Sequence, residues 1–247
     1  MRGEGLSWII AKPFAHRGLH GDGIPENSIE AISAAVTRGF PVELDVQATA
    51  DGCVVVFHDW NLLRLTGVDC AVVDARWQDL GKLRLGGTAS SVPRLEEVLE
   101  RVGGRVPLLI ELKSRGSSRL LARSIAPLLT AYDGAFAVQS FNPWILGWFR
   151  RKHPAIPRGQ LACAFDTDPM AGWKKMFFAC YGMNWLSAPH FVGHRLQDLP
   201  ASVPGLLRRF LPVLAWTITS ASEAHRALLH ADNFIFEGFL PGLPSVA

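Results

Sequence analysis

The sequence predicts an α/β fold: a (β/α)8 TIM barrel with a short insertion after the second strand. Three observations predict it. Strand-like and helix-like runs alternate almost to the end of the chain, which calls for a parallel sheet. With one hairpin partner merged into its neighbour, the strand-like runs number eight, in 247 residues. Barrels of this class commonly run to about 250 residues as one domain. Finally, carboxylates and histidines gather at the ends of the early strands, where such barrels carry their chemistry. An open doubly wound sheet is the alternative.

The strand-like runs, in order, are Phe14–His16, Val42–Val46 with Val54–His58, Leu108–Lys113, Phe136–Phe141, Gly159–Phe165, Met183–Ala188, Val213–Thr217 and Phe234–Glu237. Helix starts are marked between them. Asn27 with Glu30, and Ser220 with Glu223, resemble capping boxes. Asn142-Pro143 and Asp168-Pro169 place a capping residue before a proline at the first helical position. Gly39 suits a left-handed cap at the end of the first helix. Residues 60–92 break the alternation with glycines, charges and a Thr-Ala-Ser-Ser run, and read as a small insertion on the rim that carries His58. No linker or repeat interrupts the chain, so residues 1–247 read as one domain.

Composition narrows the function. Hydrophobic residues make up 49% and charged residues 19%, which excludes a disordered chain. A net charge of +3 suits an anionic small-molecule substrate and is far from a nucleic-acid-binding signature. Cys53, Cys70, Cys163 and Cys180 are scattered, without a Cys-x-x-Cys pair. They read as thiols in a reducing compartment. The first residues lack the apolar core of a signal peptide. No window reaches the roughly 18 apolar residues of a membrane span. The expectation is a cytoplasmic protein without stable membrane insertion, with self-association to a homo-oligomer left open.

The chemistry-bearing residues follow from strand alternation. Glu43 and Asp45 are two apart, so both carboxylates share one face of the strand. Glu111 and Lys113 repeat the pattern on the next strand. Three converging carboxylates repel one another unless a cation sits among them. All-oxygen ligation suits Mg²⁺, Ca²⁺ or Mn²⁺. Separate ion pairs, Glu111 with Lys113 and Asp45 with Arg17, are the alternative. His16 and His58 each follow an apolar strand and can move a proton near neutral pH. The other six histidines read as loop or helix residues. Arg17 and Lys113 are suited to binding phosphate, and Gly18 to a close backbone approach to the ligand. Asn27 is a helix cap or a metal or phosphate contact. Trp216 is a cavity wall or core packing. Gln139-Ser140-Phe141 could offer rim contacts. Trp173 to Phe178 could dock on a membrane, but the short mixed segment reads as an ordinary barrel helix.

Taken together, His16-Arg17-Gly18, Pro25-Glu26-Asn27-Ser28, Glu43-Leu44-Asp45-Val46, Asp51-Gly52, Val55 to Asp59, Glu111-Leu112-Lys113, Ser140-Phe141 and Trp216-Thr217 resemble the glycerophosphodiester phosphodiesterase family. The resemblance spans nearly the whole chain and is densest from residue 15 to 66. It implies a TIM barrel related to the phosphatidylinositol phospholipases C. It also implies metal-dependent hydrolysis of glycerophosphodiesters to glycerol 3-phosphate and an alcohol. By motif, His16 and His58 would be the acid/base pair, and Glu43, Asp45 and Glu111 the metal ligands. Arg17 and Lys113 would contact the phosphate. Two stretches depart from the family pattern: Trp216-Thr217-Ile218-Thr219 and Phe236-Glu237-Gly238-Phe239. Both bear on the alcohol group rather than on the catalytic set. A lipid-acting phospholipase C- or D-like enzyme and a non-catalytic phosphodiester-binding barrel are the rival readings.

Overall fold

A computed structural model describes residues 6–114, 118–166 and 169–242. The elements in chain order are β1 (Phe14–His16), α1 (Ile29–Thr37), β2 (Val42–Ala48), β3 (Val54–Val56), α2 (Leu63–Thr66), α3 (Trp77–Leu80), α4 (Leu95–Val102), β4 (Leu108–Leu112), α5 (Ser118–Thr130), β5 (Phe136–Ser140), α6 (Pro143–Lys152), β6 (Arg158–Ala162), α7 (Gly172–Ala179), α8 (Asn184–Ser187), β7 (Phe191–Arg195), α9 (Ser202–Leu207), β8 (Val213–Ile218), α10 (Ala221–His230) and β9 (Asn233–Phe236). The strand order is β1-β9-β8-β7-β6-β5-β4-β2-β3, with a further β1–β2 pairing. This is the order of a (β/α)8 barrel, with β3 as the antiparallel hairpin partner of β2. The chain divides into two compact units, Ala15–Ala137 and the remainder.

In the unit Ala15–Ala137, β2 is buried along its whole length. Its apolar residues Val42, Leu44 and Val46 alternate with Glu43, Asp45 and Gln47, so one face serves packing and the other carries polar groups. Helices α1 and α5 pack on this strand, and α4 packs on α1. Helix α4 buries Leu95, Val98, Leu99 and Val102, the i, i+3, i+4, i+7 stripe of an amphipathic helix. Each such side chain contributes about 1.5–3 kcal/mol. Helix α1 ends in a Schellman motif: Gly39, at φ +70°, donates to Val36, and Phe40 donates to Ala35. The cap at its start is Ser28, whose hydroxyl accepts from the Ala31 N–H, rather than Asn27. Residues 60–92 form the insertion, with α2, α3 and a small core of their own. Leu62, Val72, Leu80 and Leu85 pack there with Val55 and Phe57.

In the other unit, Asn142 caps α6 by accepting from the Trp144 N–H, with Pro143 at the first helical position. Ser220 caps α10, while the Glu223 carboxylate bonds the Thr219 N–H, one residue earlier than a capping box requires. The Asp168-Pro169 cap lies outside the described residues, because Asp168 is not among them. The strand expected at Met183–Ala188 is instead α8, and the strand is Phe191–Arg195. A short apolar run does not distinguish a strand from a packed helical turn. Here Leu186 settles against Gly147 of α6, where a Cβ would come within 2.9 Å of it. His194, read from sequence as a loop or helix residue, is therefore a buried residue of β7, bonded to the Tyr181 hydroxyl at 3.0 Å. No helix of the described residues is long and apolar enough to cross a membrane.

Candidate active site

The parallel register assembles the site within the unit Ala15–Ala137. His16 pairs with Glu43 across β1 and β2, and Asp45 pairs with Glu111 across β2 and β4. Paired residues on parallel strands project to the same side. Glu43, Asp45 and Glu111 each offer a carboxylate oxygen, and these oxygens lie within 4.8 Å of one another. His16 Nε2 is 3.9 Å from Glu43 Oε2.

After β1 the chain turns sharply, with Arg17 at φ +54° and Gly18 at φ +81°. A Cβ on Gly18 would stand 2.6 Å from the Ala31 carbonyl carbon. The close approach that Gly18 permits is thus to the backbone of α1. The turn aims Arg17 inward. Its Nη1 donates to Glu26 Oε1 at 2.8 Å, and its Nε lies 3.3 Å from Asp45 Oδ2 as an ion pair. Asn27 sits at φ +57° and grips Asp45 twice. Its Nδ2 donates to Asp45 Oδ2 at 2.9 Å, and its Oδ1 accepts from the Asp45 N–H at 3.3 Å. Asn27 is therefore a partner of a carboxylate rather than a helix cap.

Lys113 follows β4. Its Nζ donates to Glu111 Oε1 at 2.9 Å, lies 3.4 Å from Asp45 Oδ1, and sits 5.9 Å over the Trp60 ring. The ion pairs offered as an alternative to a metal site thus exist alongside the carboxylate cluster. Burial alone would raise Asp45, but Lys113, His58 and Arg17 outweigh it and hold the carboxyl at about 2. Glu43 goes the other way: burial first, then the Asp45 and Glu111 charges, push it well above the usual carboxylate range. Arg17 and Lys113 lie among the three carboxylates, and the mutual repulsion that raises Glu43 is what a divalent cation held among them would relieve.

His58 lies two residues beyond β3, on the loop Phe57–Asp59. Gln47, the next inward residue of β2 after Asp45, donates through Nε2 to the carbonyls of Phe57 and Asp59 at 2.9 and 2.7 Å. The loop is thereby clamped to the strand that carries the carboxylates. His58 Nδ1 is 2.7 Å from Asp59 Oδ1. That contact places a hydrogen on Nδ1 and leaves Nε2 to exchange the proton. Desolvation outweighs the Asp45 charge and lowers the His58 pKa below its usual value. Arg64, from the insertion, bonds the Asp59 carboxylate through Nε and reaches Glu26 Oε1 through Nη2 at 2.6 Å. Glu26 also holds Arg17, so one chain of charges joins His58 to Arg17.

Gln47, Glu26, Asp59 and Arg64 are site residues that sequence reasoning left without a role. Gln47 continued the alternation of Glu43 and Asp45, Glu26 and Asp59 lay within the runs that carry the family resemblance, and Arg64 carried no signal. Trp216 lies in the other unit, on β8, with its ring edge-on to Phe141 at 5.5 Å. There, too, Ser140 accepts from the Asn142 N–H, and Gln139 is buried.

Comparison with known proteins gives the same assignment. A sequence model of the glycerophosphoryl diester phosphodiesterase family matches residues 16–231. The glycerophosphodiester phosphodiesterase of Caldanaerobacter subterraneus subsp. tengcongensis is 32% identical over 227 residues, covering 87% of this chain and 88% of that protein. Human lysophospholipase D GDPD3 is 36% identical over 132 residues, covering 48% of this chain and 40% of that protein. The fold is that of an Oleispira antarctica phosphodiesterase solved in complex with the product sn-glycerol-3-phosphate. The TM-score is 0.77 at 24% identity, over 92% of both chains. With carboxylates, histidines and cations at the ends of barrel strands, and with this match along its length, the chain belongs to the glycerophosphodiester phosphodiesterase family and is a phosphoric diester hydrolase.

Proposed function

We propose that the protein hydrolyses glycerophosphodiesters to glycerol 3-phosphate and an alcohol by a metal-dependent, two-histidine mechanism. The observation that carries this reading is the carboxylate trio with two histidines beside it. His16 is next to Glu43, and His58 is anchored by Asp59. Glu43, Asp45 and Glu111 would hold the cation, and their hard oxygen donors favour Mg²⁺ or Ca²⁺, with Mn²⁺ a third candidate. When bound, a divalent cation supplies positive charge to the phosphate oxygens. Arg17 and Lys113 orient the same phosphate, arginine through its fork and lysine as a point charge. His16 takes the proton of the nucleophile, which is either water or the glycerol 2-hydroxyl; the latter gives a cyclic phosphate that water then opens to glycerol 3-phosphate. His58 gives a proton to the leaving alcohol. Asp59 supports that assignment by fixing the His58 ring through Nδ1, so that Nε2 is the atom that exchanges the proton.

The substrates are soluble deacylated diesters such as glycerophosphocholine. The short insertion supports this, since Leu62, Val72, Leu80 and Leu85 of residues 60–92 are committed to a core of their own. The cysteines of the described residues are free thiols, which suits a reducing, cytoplasmic setting.

The test is product analysis with purified protein and a panel of glycerophosphodiesters and lysophospholipids. The expected products are glycerol 3-phosphate and free alcohol. His16→Ala and His58→Ala should each fold normally and lower kcat by about a hundred- to ten-thousand-fold. A variant that keeps most of the wild-type kcat would make its histidine structural.

A further inference from the structure

Helix α7 does not pack as a barrel helix. A helix laid on a sheet buries one stripe, yet no residue of Gly172–Ala179 is buried. Trp173, Met176 and Phe177, at i, i+3 and i+4, share one face. They are 66%, 67% and 41% exposed. The apolar surface continues past the helix. Phe178 meets the ring of Trp144 on α6 at 6.4 Å, and Trp144 is itself exposed. On α8, which packs against α6, Trp185 is 70% exposed. Single exposed apolar side chains are ordinary, but several large ones on helices that pack on one another mark a contact surface.

The charge around this face selects its partner. Lys174 Nζ lies 5.5 Å over the Trp173 ring, and Lys175 is the next residue of the helix. Helix α6 ends in Arg150, Arg151 and Lys152. From Phe141 to Leu186 the only acidic residues in the sequence are Asp166 and Asp168. Asp166 is already paired with Arg195. Protein–protein interfaces are depleted in lysine. Helices that lie in a bilayer surface combine Trp and Phe with Lys.

We propose that the face formed by α6, α7 and α8 docks on an anionic lipid bilayer. Trp173, Met176, Phe177, Trp144 and Trp185 enter the headgroup region, and Lys174 and Lys175 meet lipid phosphates. This is peripheral docking: the helix is too short and too charged to span.

Co-sedimentation with vesicles tests it. The full chain should bind phosphatidylcholine vesicles containing phosphatidylglycerol, and binding should fall with added salt. Pure phosphatidylcholine should bind at least about tenfold more weakly, because a zwitterionic surface has no net negative charge to attract the lysines. The triple variant Trp173→Ala, Met176→Ala, Phe177→Ala should lose binding, and so should the single Met176→Glu. Lys174→Ala with Lys175→Ala should reduce the preference for the anionic vesicles. All variants should keep wild-type turnover of a soluble diester, since none touches the catalytic set. Binding is read without turnover, so it stands or falls apart from the proposed mechanism. Three results would overturn the proposal. One is no binding to the anionic vesicles. The second is equal binding by wild type and Met176→Glu. The third is a dimer in light scattering that Met176→Glu dissociates, which would assign the face to a second copy.

Discussion

At the scale of single residues, the site is organised by reciprocal bonds rather than by isolated ligands. Asp45 is fixed by both amide atoms of Asn27 and flanked by Lys113 and Arg17. His58 is held through Asp59, and Asp59 through Arg64. Arg64 is a positioning residue, because it touches neither histidine nor the carboxylate trio. Arg64→Ala should lower kcat by roughly ten- to a hundredfold by loosening the geometry of the acid, with a smaller rise in KM through Glu26 and Arg17. Combined with Asp59→Asn, it should add little further loss, since both act along one path. Steady-state kinetics of the single and double variants decide this. Losses that multiply would make Arg64 independent of Asp59.

At the scale of elements, the turn after β1 is a tight constraint on the fold. Gly18 combines φ +81° with a Cβ position that collides with the Ala31 backbone. Gly18→Ala should therefore destabilise the fold by about 1–3 kcal/mol, read as a lower urea midpoint. An unchanged midpoint would show that α1 yields at no cost.

The same scale shows what was legible in the sequence. Glu43, Asp45, Glu111 and Lys113 could be grouped because strand alternation is local and places their side chains without reference to the rest of the chain. His16 and Arg17 followed from their place at the end of β1. Arg64 and Asp59 could not be grouped with Glu26, because their meeting depends on how the insertion folds back over the loop. Helix α8 was misread as a strand because Met183–Ala188 carries no periodicity to decide it. The true β7 has a glycine, a histidine and an arginine among its five residues, which obscured it. Helix α7 was legible as a helix, but its exposure depends on neighbours that no local pattern reports.

At the scale of the whole molecule, acid should act through His194. Burial lowers its pKa to about 4, against Asp198, which pulls it upward. In the unfolded chain the imidazole returns to about 6.5. Between these values the unfolded chain binds a proton that the folded chain does not. The contribution is intact above about pH 6.5 and is lost as the pH falls toward 4. The full loss is about 3 kcal/mol. His194→Gln should flatten this part of the stability–pH curve, measured by urea unfolding from pH 7 to 4.5. Parallel curves for wild type and variant would remove His194 from acid sensitivity.

The central claim is that Glu43, Asp45 and Glu111 serve a divalent cation without which the diester is not cleaved. The direct measurement is turnover of glycerophosphocholine by chelator-treated protein, titrated with Mg²⁺, Ca²⁺ and Mn²⁺, for wild type and Asp45→Asn. Wild type should be silent in excess chelator and recover with at least one of the three ions. Asp45→Asn should need far more of that ion and recover less. Full turnover of the metal-free wild type would contradict the claim.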